Sequence, residues 1–584
     1  MKRAIIRLLV CSLALVGVSI GESHSPQSAP RADLILHNGF VWTVNEKHPR
    51  AEAVAIRGEK IIAVGSNAEA LRYRGPRTRV IDVKGAFVVP GFNDSHVHVA
   101  SAGRFLEFNL MTVTSQKEFV ARVQRLVKDL GPGEWITGGG WGAYDQWAPG
   151  SAGGEKRKPF TPDVRLVEEI TRDHPLFIHK FDFSEFAANR AALKAVGLDP
   201  EHPSAPDVEF LRDERGRLTG ILRGKGVMSL FRPKIPRRLS HRRRVRQTRR
   251  ALAEIRQYGV TSISDMSDDE QLDIYRELRA RGELTVRVHF RYGLERWKEL
   301  AGRGIKVGSG DEWIRLGAVK GHIDGIMGTS TARFFQPYAN DPTNRGRWRR
   351  LMVDERGRFV EGKFLNYMLN ADRVGLQLSV HAIGDEANHV LLDYLEELIR
   401  RHGRRDRRFR LVHAQVIAPA DFRRLGALNV IAEVQPYHLS DDMRWMEERI
   451  GHERSRGAYA FRTIQRSGAV LAFGSDWPGT TASAYPINPL FGLYAAVTRQ
   501  TLTGQPPGGW FPAERLTIEE AITAYTLGSA YASFEEHLKG TIEVGKLADL
   551  TILSKNLLTV DPREYLTTEV LYTIVGGKVV YEKR

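Results

Sequence analysis

Two histidines one residue apart, His96 and His98, follow the apolar run Val88-Val89-Pro90-Gly91-Phe92. Side chains at i and i+2 of an extended segment point to the same face, so both imidazoles can converge on one ion. A His-x-His pair alone is a weak signal, but it has company. His381 follows Leu376-Gln377-Leu378-Ser379-Val380, His413 follows Leu411-Val412, and Asp476 follows Ala472-Phe473-Gly474-Ser475. One histidine at a strand end is more often structural than functional. Four at three strand ends, with an aspartate at a fourth, describe a ligand set. Neutral imidazole suits zinc and related divalent ions, and aspartate adds a hard oxygen donor. Lys320 closes Leu316-Gly317-Ala318-Val319 and reads as an exposed or ion-paired lysine, or, if buried, as a neutral or modified one. Cys11 is the only cysteine, so thiolates cannot form such a site.

Positioning these residues requires strands whose C-terminal ends face one way. Short apolar runs such as Val260-Thr261-Ser262-Ile263 and Val430-Ile431-Ala432-Glu433-Val434 alternate with amphipathic stretches, among them Asn388 to Arg401 with Val390, Leu391, Tyr394, Leu395 and Leu398 on one face. Repeated β-then-α argues an α/β fold with a parallel barrel or a doubly wound sheet. No glycine-rich nucleotide loop follows any run, which favours a (β/α)8 TIM-like barrel with its site at the C-terminal strand ends. The barrel is expected over residues 86–539, with a Gly- and Trp-rich insertion at about 129–160. Trp141, Tyr144 and Trp147 there either line the mouth of the site or pack the insertion. Residues 32–85 and 540–584 share short alternating runs and tight turns, including Asn38-Gly39, and are expected to form one small β-sandwich domain built from both termini.

The remaining chain narrows the classes. Lys2, Arg3 and Arg7 precede the apolar Leu8 to Ile20, and Gly21 leads into a polar run, the pattern of a signal peptide over 1–21 and an exported protein. That apolar run is too short to favour a membrane span, so no stable membrane insertion is expected once it is cleaved. The net charge is +17, with arginine clusters at Arg237 to Arg250 and Arg401 to Arg410. Helical periodicity and the lack of interleaved aromatics make these solvated helix faces rather than a nucleic-acid surface. The partner expected is a small-molecule substrate, with homo-oligomerisation left open.

Pro90-Gly91-Phe92-Asn93-Asp94-Ser95-His96-Val97-His98 closely resembles the opening metal motif of the amidohydrolase superfamily. Val319-Lys320 with Asp324-Gly325, His381-Ala382-Ile383-Gly384-Asp385, His413-Ala414-Gln415, Gln435-Pro436, Gly474-Ser475-Asp476-Trp477-Pro478 and the closing Gly540 to Leu550 look like the later motifs of its family 3 branch, the N-substituted formamide deformylase-like proteins, in the same order. The resemblance covers nearly everything after the leader. It implies a hydrolase of amide- or formamide-type C–N bonds with two divalent ions, Zn2+ by ligand type. His96 and His98 would hold one ion and His381 and His413 the other. A carbamylated Lys320 would bridge them, and Asp476 would bind metal and serve as general base to a metal-activated hydroxide. Metal-assisted ester or lactone hydrolysis, isomerisation and a non-catalytic binding protein are the alternatives on this scaffold. The sequence departs from the branch where Asp182-Phe183-Ser184 replaces a usual Asp-Gly-His, with His179 nearby, and where His322 stands in the lysine motif. Tyr437 and His438, after Gln435-Pro436, are further candidates for substrate contact.

Overall fold

The computed structural model describes residues 31–142, 160–480 and 483–584; the leader read at 1–21, together with Tyr144 and Trp147, lies outside the described residues. Eight parallel strands form the centre in chain order: β1 Phe92–Val97, β2 Val260–Asp265, β3 Arg287–Gly293, β4 Ile314–His322, β5 Gln377–Ala382, β6 Arg410–His413, β7 Ile431–Val434 and β8 Val470–Phe473. Each is hydrogen-bonded in parallel register to the next. The ring is nearly closed. Just past β8, Trp477 bridges to Val97, the Asp476 amide donates to His96 O at 2.8 Å, and the His98 amide donates to Trp477 O at 2.9 Å. The seam between first and last strand thus lies where the two sequence-distant ligand candidates emerge.

The helices between strands follow elementary rules. Asp385–His402 carries Asp385 and Glu386 in its first turn and Arg400, Arg401 and His402 in its last, which complements the helix dipole. It buries Leu391, Leu395 and Leu398 against the barrel. In helix His241–Gln257, the Ser240 side chain caps the start by accepting from the Arg243 amide. The expectation of a solvated arginine face holds only in part, for residues such as Arg242 and Arg249. Arg243 and Arg244 are buried and pair with Glu107 and with Asp268 and Glu270. Arg410, from the second cluster, lies wholly inside the barrel. These arginines are spent on internal ion pairs.

The terminal segments form two sheets. One, in spatial order, is Lys60–Gly65, Ala53–Arg57, Leu34–His37 and Arg79–Asp82. The other is Lys578–Glu582, Val570–Val575, Leu550–Leu553, Phe87–Pro90, Phe40–Trp42 and Arg50–Ala51. Leu34 and Ile56 from the first pack in one cluster with Val88, Leu550 and Ile574 from the second. The run expected to lead into His96 as one strand is therefore two: Phe87–Pro90 pairs with Leu550–Leu553, and the barrel begins at Phe92. Gly91 makes the switch. A β-carbon there would lie 2.1 Å from Thr261 Oγ1, so the neighbouring strand leaves room only for glycine.

The insertion is larger than a loop. Between β1 and β2 the chain builds a five-stranded sheet, Glu209–Arg212, Leu218–Arg223, Phe186–Ala188, Leu176–Lys180 and Ile136–Trp141 in spatial order. Its hydrophobic cluster includes Trp141, Leu176, Ile178 and Ile221. Among the described residues no helix is long and apolar enough to cross a membrane.

Candidate metal centre

The four histidines, Lys320 and Asp476 line one cavity of about 220 Å³ at the C-terminal ends of the barrel strands. His96 lies inside β1, not after a strand as the sequence pattern suggests, and His98 directly follows that strand. Lys320 lies on β4, His381 on β5, His413 at the end of β6, and Asp476 just beyond β8. His98 Nε2 is 3.1 Å from Asp476 Oδ1 and His96 Nε2 is 3.5 Å from the same oxygen. The His96 ring centroid is 5.3 Å from that of His98 and 5.2 Å from that of His413, and the His381 and His413 centroids are 4.5 Å apart. His96, His98 and Asp476 offer ligand atoms close enough together to share an ion.

Each imidazole has one nitrogen committed to the protein. His96 Nδ1 meets Glu433 Oε1 at 2.6 Å, His98 Nδ1 meets Met266 O at 3.3 Å, His413 Nδ1 meets Gln435 Oε1 at 2.7 Å, and His381 Nε2 meets Gly325 O at 2.9 Å. All four partners are acceptors, so the committed nitrogen carries a proton and the opposite nitrogen is the one that can offer a lone pair to a cation. This outer arrangement orients histidine ligands around a cation. Nε2 of His96, His98 and His413 and Nδ1 of His381 are the atoms left available.

Charge supports the same arrangement. Burial, with the Lys320 ammonium nearby, lowers His96 to about 3, and burial holds His413 well below the usual imidazole range, so both rings are neutral at pH 7. Lys320 Nζ is buried with no hydrogen-bond partner, and burial lowers its pKa to about 7. Such an amine is partly neutral at pH 7 and nucleophilic. Burial raises the Asp476 carboxyl, but the nearby His96 ring and a hydrogen bond from the His98 ring more than offset this and hold it well below the usual carboxylate range; a cation bound between them would take the place of the His98 proton. The donor set therefore fits divalent metal: four imidazoles, one carboxylate and one unsatisfied lysine.

Beneath the centre lies a group the sequence reading missed. Glu433 on β7 is fully buried and accepts from Arg291 Nη1 at 2.9 Å and from Arg410 Nε at 2.6 Å while holding His96. Both arginines also donate to Ser95 O, the carbonyl before His96. The two cations keep Glu433 ionised despite burial, and it in turn fixes the His96 ring. Its signal was present: a lone acid within the apolar run Val430 to Val434.

The substrate-contact candidates divide. His322 and His438 line the cavity, the latter with Nε2 3.2 Å from Ser475 O and its ring stacked 3.7 Å from that of Tyr485. Trp141 is not among the wall residues. It is fully buried in the core of the inserted sheet, on a strand outside the barrel. His179 lies on that same sheet, stacked 4.2 Å from Phe183, away from the cavity wall. Tyr437 packs between Tyr485 and Phe491, each centroid 6.2 Å away, and so supports a wall residue instead of meeting substrate. Asp442, Trp445 and Tyr485 complete a wall that the sequence reading did not assign.

A model of the amidohydrolase family matches residues 79–581. The chain is 34% identical to the protein LONG AFTER FAR-RED 3 of Arabidopsis thaliana, across 96% of this chain and 93% of the relative. It is 25% identical to the N-substituted formamide deformylase of Arthrobacter pascens, across 94% and 98%. Among solved structures, a metal-dependent hydrolase from Pyrococcus horikoshii superposes with a TM-score of 0.70 and 27% identity, covering 91% of this chain and 99% of the other. The chain belongs to the amidohydrolase family and is a metal-dependent hydrolytic enzyme of that kind.

Proposed function

We propose that the protein hydrolyses an amide- or formamide-type C–N bond of a small molecule, using two divalent ions, zinc by ligand type, held by His96, His98, Lys320, His381, His413 and Asp476. One observation carries the proposal. Four imidazoles from three strands have their committed nitrogens turned away, leaving four lone pairs around a cavity that also holds an ionised aspartate and an unpartnered lysine. Formamide chemistry follows the relative from Arthrobacter pascens, and residues 1–21 would direct export.

Ions in this site would polarise a carbonyl and lower the pKa of a water molecule. The chain's own groups do the rest. Asp476, ionised and beside His98, accepts a proton from the attacking water and returns it to the leaving nitrogen, so the C–N bond breaks as the water oxygen joins the acyl carbon. Lys320, with a pKa near 7, is partly the free amine, whose nitrogen would add to the carbon of carbon dioxide and release one proton to water, leaving a carbamate whose anionic oxygens could serve as metal ligands. Glu433 and Gln435 hold the tautomers of His96 and His413 throughout.

Elemental analysis of the purified protein should find close to two divalent ions per chain, falling sharply in Lys320→Ala. One ion in both proteins would reject the bridged pair. A panel of formamides, amides, esters and lactones tests the bond cleaved. Turnover of lactones with inertness toward every amide would replace the C–N assignment.

A further inference from the structure

Outside the six candidate ligands, the charged and ionisable side chains on the cavity wall are His322, Arg349, His438, Asp442 and Tyr485. Asp442 is used: its Oδ2 accepts from Gln415 and Tyr459. His438 is used: it stacks on Tyr485 and bonds Ser475 O. Arg349 differs. Its backbone amide donates to Ile323 O at 2.8 Å, and the neighbouring Trp348 bridges antiparallel to Asp324, which fixes the residue beside the end of β4. Its Nε donates to Asp324 O at 2.9 Å. No carboxylate pairs with its guanidinium among the described residues, and its two terminal nitrogens have no acceptor there. Of the neighbouring arginines, Arg350 pairs with Glu295 and Arg333 and Arg345 pair with Glu386, while Arg347 is exposed to solvent. Arg349, with Lys320 and His322, lines both the candidate metal cavity and a second one of about 380 Å³, in which the one carboxylate, Glu295, is paired with Arg350.

A half-buried guanidinium anchored through Nε, with its outer nitrogens unclaimed, has the geometry that takes a carboxylate in two parallel hydrogen bonds. We propose that Arg349 anchors a carboxylate on the amine portion of the substrate, with His322 beside it, so that the molecules cleaved are N-formyl or N-acyl amino acids instead of neutral amides. The inference rests on the C–N hydrolysis proposed above. The first cavity, lined by both Arg349 and the candidate metal ligands, holds the carbon chain between the scissile bond and the carboxylate.

The test uses the metal-loaded full chain and N-formyl derivatives of glycine, β-alanine and 4-aminobutyrate, each beside its own carboxamide. The wild type should favour at least one acid over its carboxamide in kcat/KM. That ratio should fall about tenfold to a hundredfold in Arg349→Met, chiefly through KM, and be partly restored in Arg349→Lys. Calorimetry with the free amino acid of the preferred chain length should show binding to the wild type and weaker binding to Arg349→Met. Metal content and thermal melts of the variants confirm folding, and Arg349→Lys carries the comparison should the methionine variant not fold. Equal rates on acids and carboxamides, or a ratio unchanged by substitution, would overturn the subsite while leaving C–N hydrolysis standing. Should neither series be cleaved, the hydrolytic assignment fails. Calorimetry then decides the subsite, which is overturned by equal binding of the three amino acids to wild type and variant, or by no binding to either.

Discussion

Asp442 shows how burial sets the chemistry of a single side chain on this wall. Its Oδ2 accepts from Gln415 Nε2 at 2.7 Å and from Tyr459 OH at 2.6 Å, which leaves Oδ1 to carry a proton. Burial, with the Asp441 carboxyl beside it, pushes its pKa up to about 8, against roughly 4 in an unfolded chain. Between those values the folded protein keeps a proton that the unfolded chain has released. The contribution of this group to stability is therefore fully present below about pH 4 and declines as pH rises toward 8. Asp442→Asn cannot ionise and can place its amide oxygen where Oδ2 accepts both bonds. Its unfolding free energy relative to wild type should rise by roughly a few kcal/mol between pH 4 and pH 8 in denaturant titrations. A difference that stays flat over this range would show that Asp442 is not held protonated.

At the level of strands, the site depends on the seam between β1 and β8. Asp94 Oδ1 accepts from the His96 and Ser475 amides, both at 3.0 Å, and so stitches the first strand to the segment carrying Asp476. Gly474 packs against this stitch: a β-carbon there would lie 2.7 Å from His96 N and 2.9 Å from Asp94 Oδ1. Backbone cannot yield at 2.7 Å without moving one strand. Gly474→Ala should push His96 away from Asp476, lower the melting temperature by several °C and raise metal loss on dialysis about tenfold or more. Thermal melts and metal content after dialysis check this, and a variant with wild-type values in both would show that the seam adapts. The alternation of apolar runs and amphipathic stretches made these strands and their order legible in the sequence. It did not reveal that Pro90-Gly91-Phe92 changes sheets, because two consecutive strands with no polar residue between them look like one.

Across the whole chain, the terminal sheets and the barrel are joined through buried charge. Arg287 on β3 donates Nε to Asp549 Oδ2 at 2.7 Å and Nη2 to Glu59 at 3.1 Å, and both Arg287 and Asp549 are almost wholly buried. Asp549 also accepts from the Gly576 amide at 2.8 Å, so one carboxylate ties the barrel to the C-terminal strands. Removing it leaves the arginine buried without its closest partner. Asp549→Ala should lose about 3–5 kcal/mol of unfolding free energy while the folded fraction keeps its metal stoichiometry. Denaturation midpoints and metal analysis on the same samples test this. A loss below about 1 kcal/mol would show that Glu59 or water replaces the carboxylate.

The chain alone specified which residue types sit at strand ends and in what order, since a strand end is a local event read from an apolar run and the polar residue that stops it. That sufficed to nominate His96, His98, Lys320, His381, His413 and Asp476. Only the folded barrel decided that they share a cavity, that each imidazole turns a chosen nitrogen inward, and that Glu433, Arg291 and Arg410 brace them from below. It likewise removed Trp141 and His179 from the site, since both lie on a sheet whose existence depends on pairing between strands dozens of residues apart. Hydrogen-bond partners and unclaimed charges are set by which distant segments meet, and no local pattern encodes that meeting.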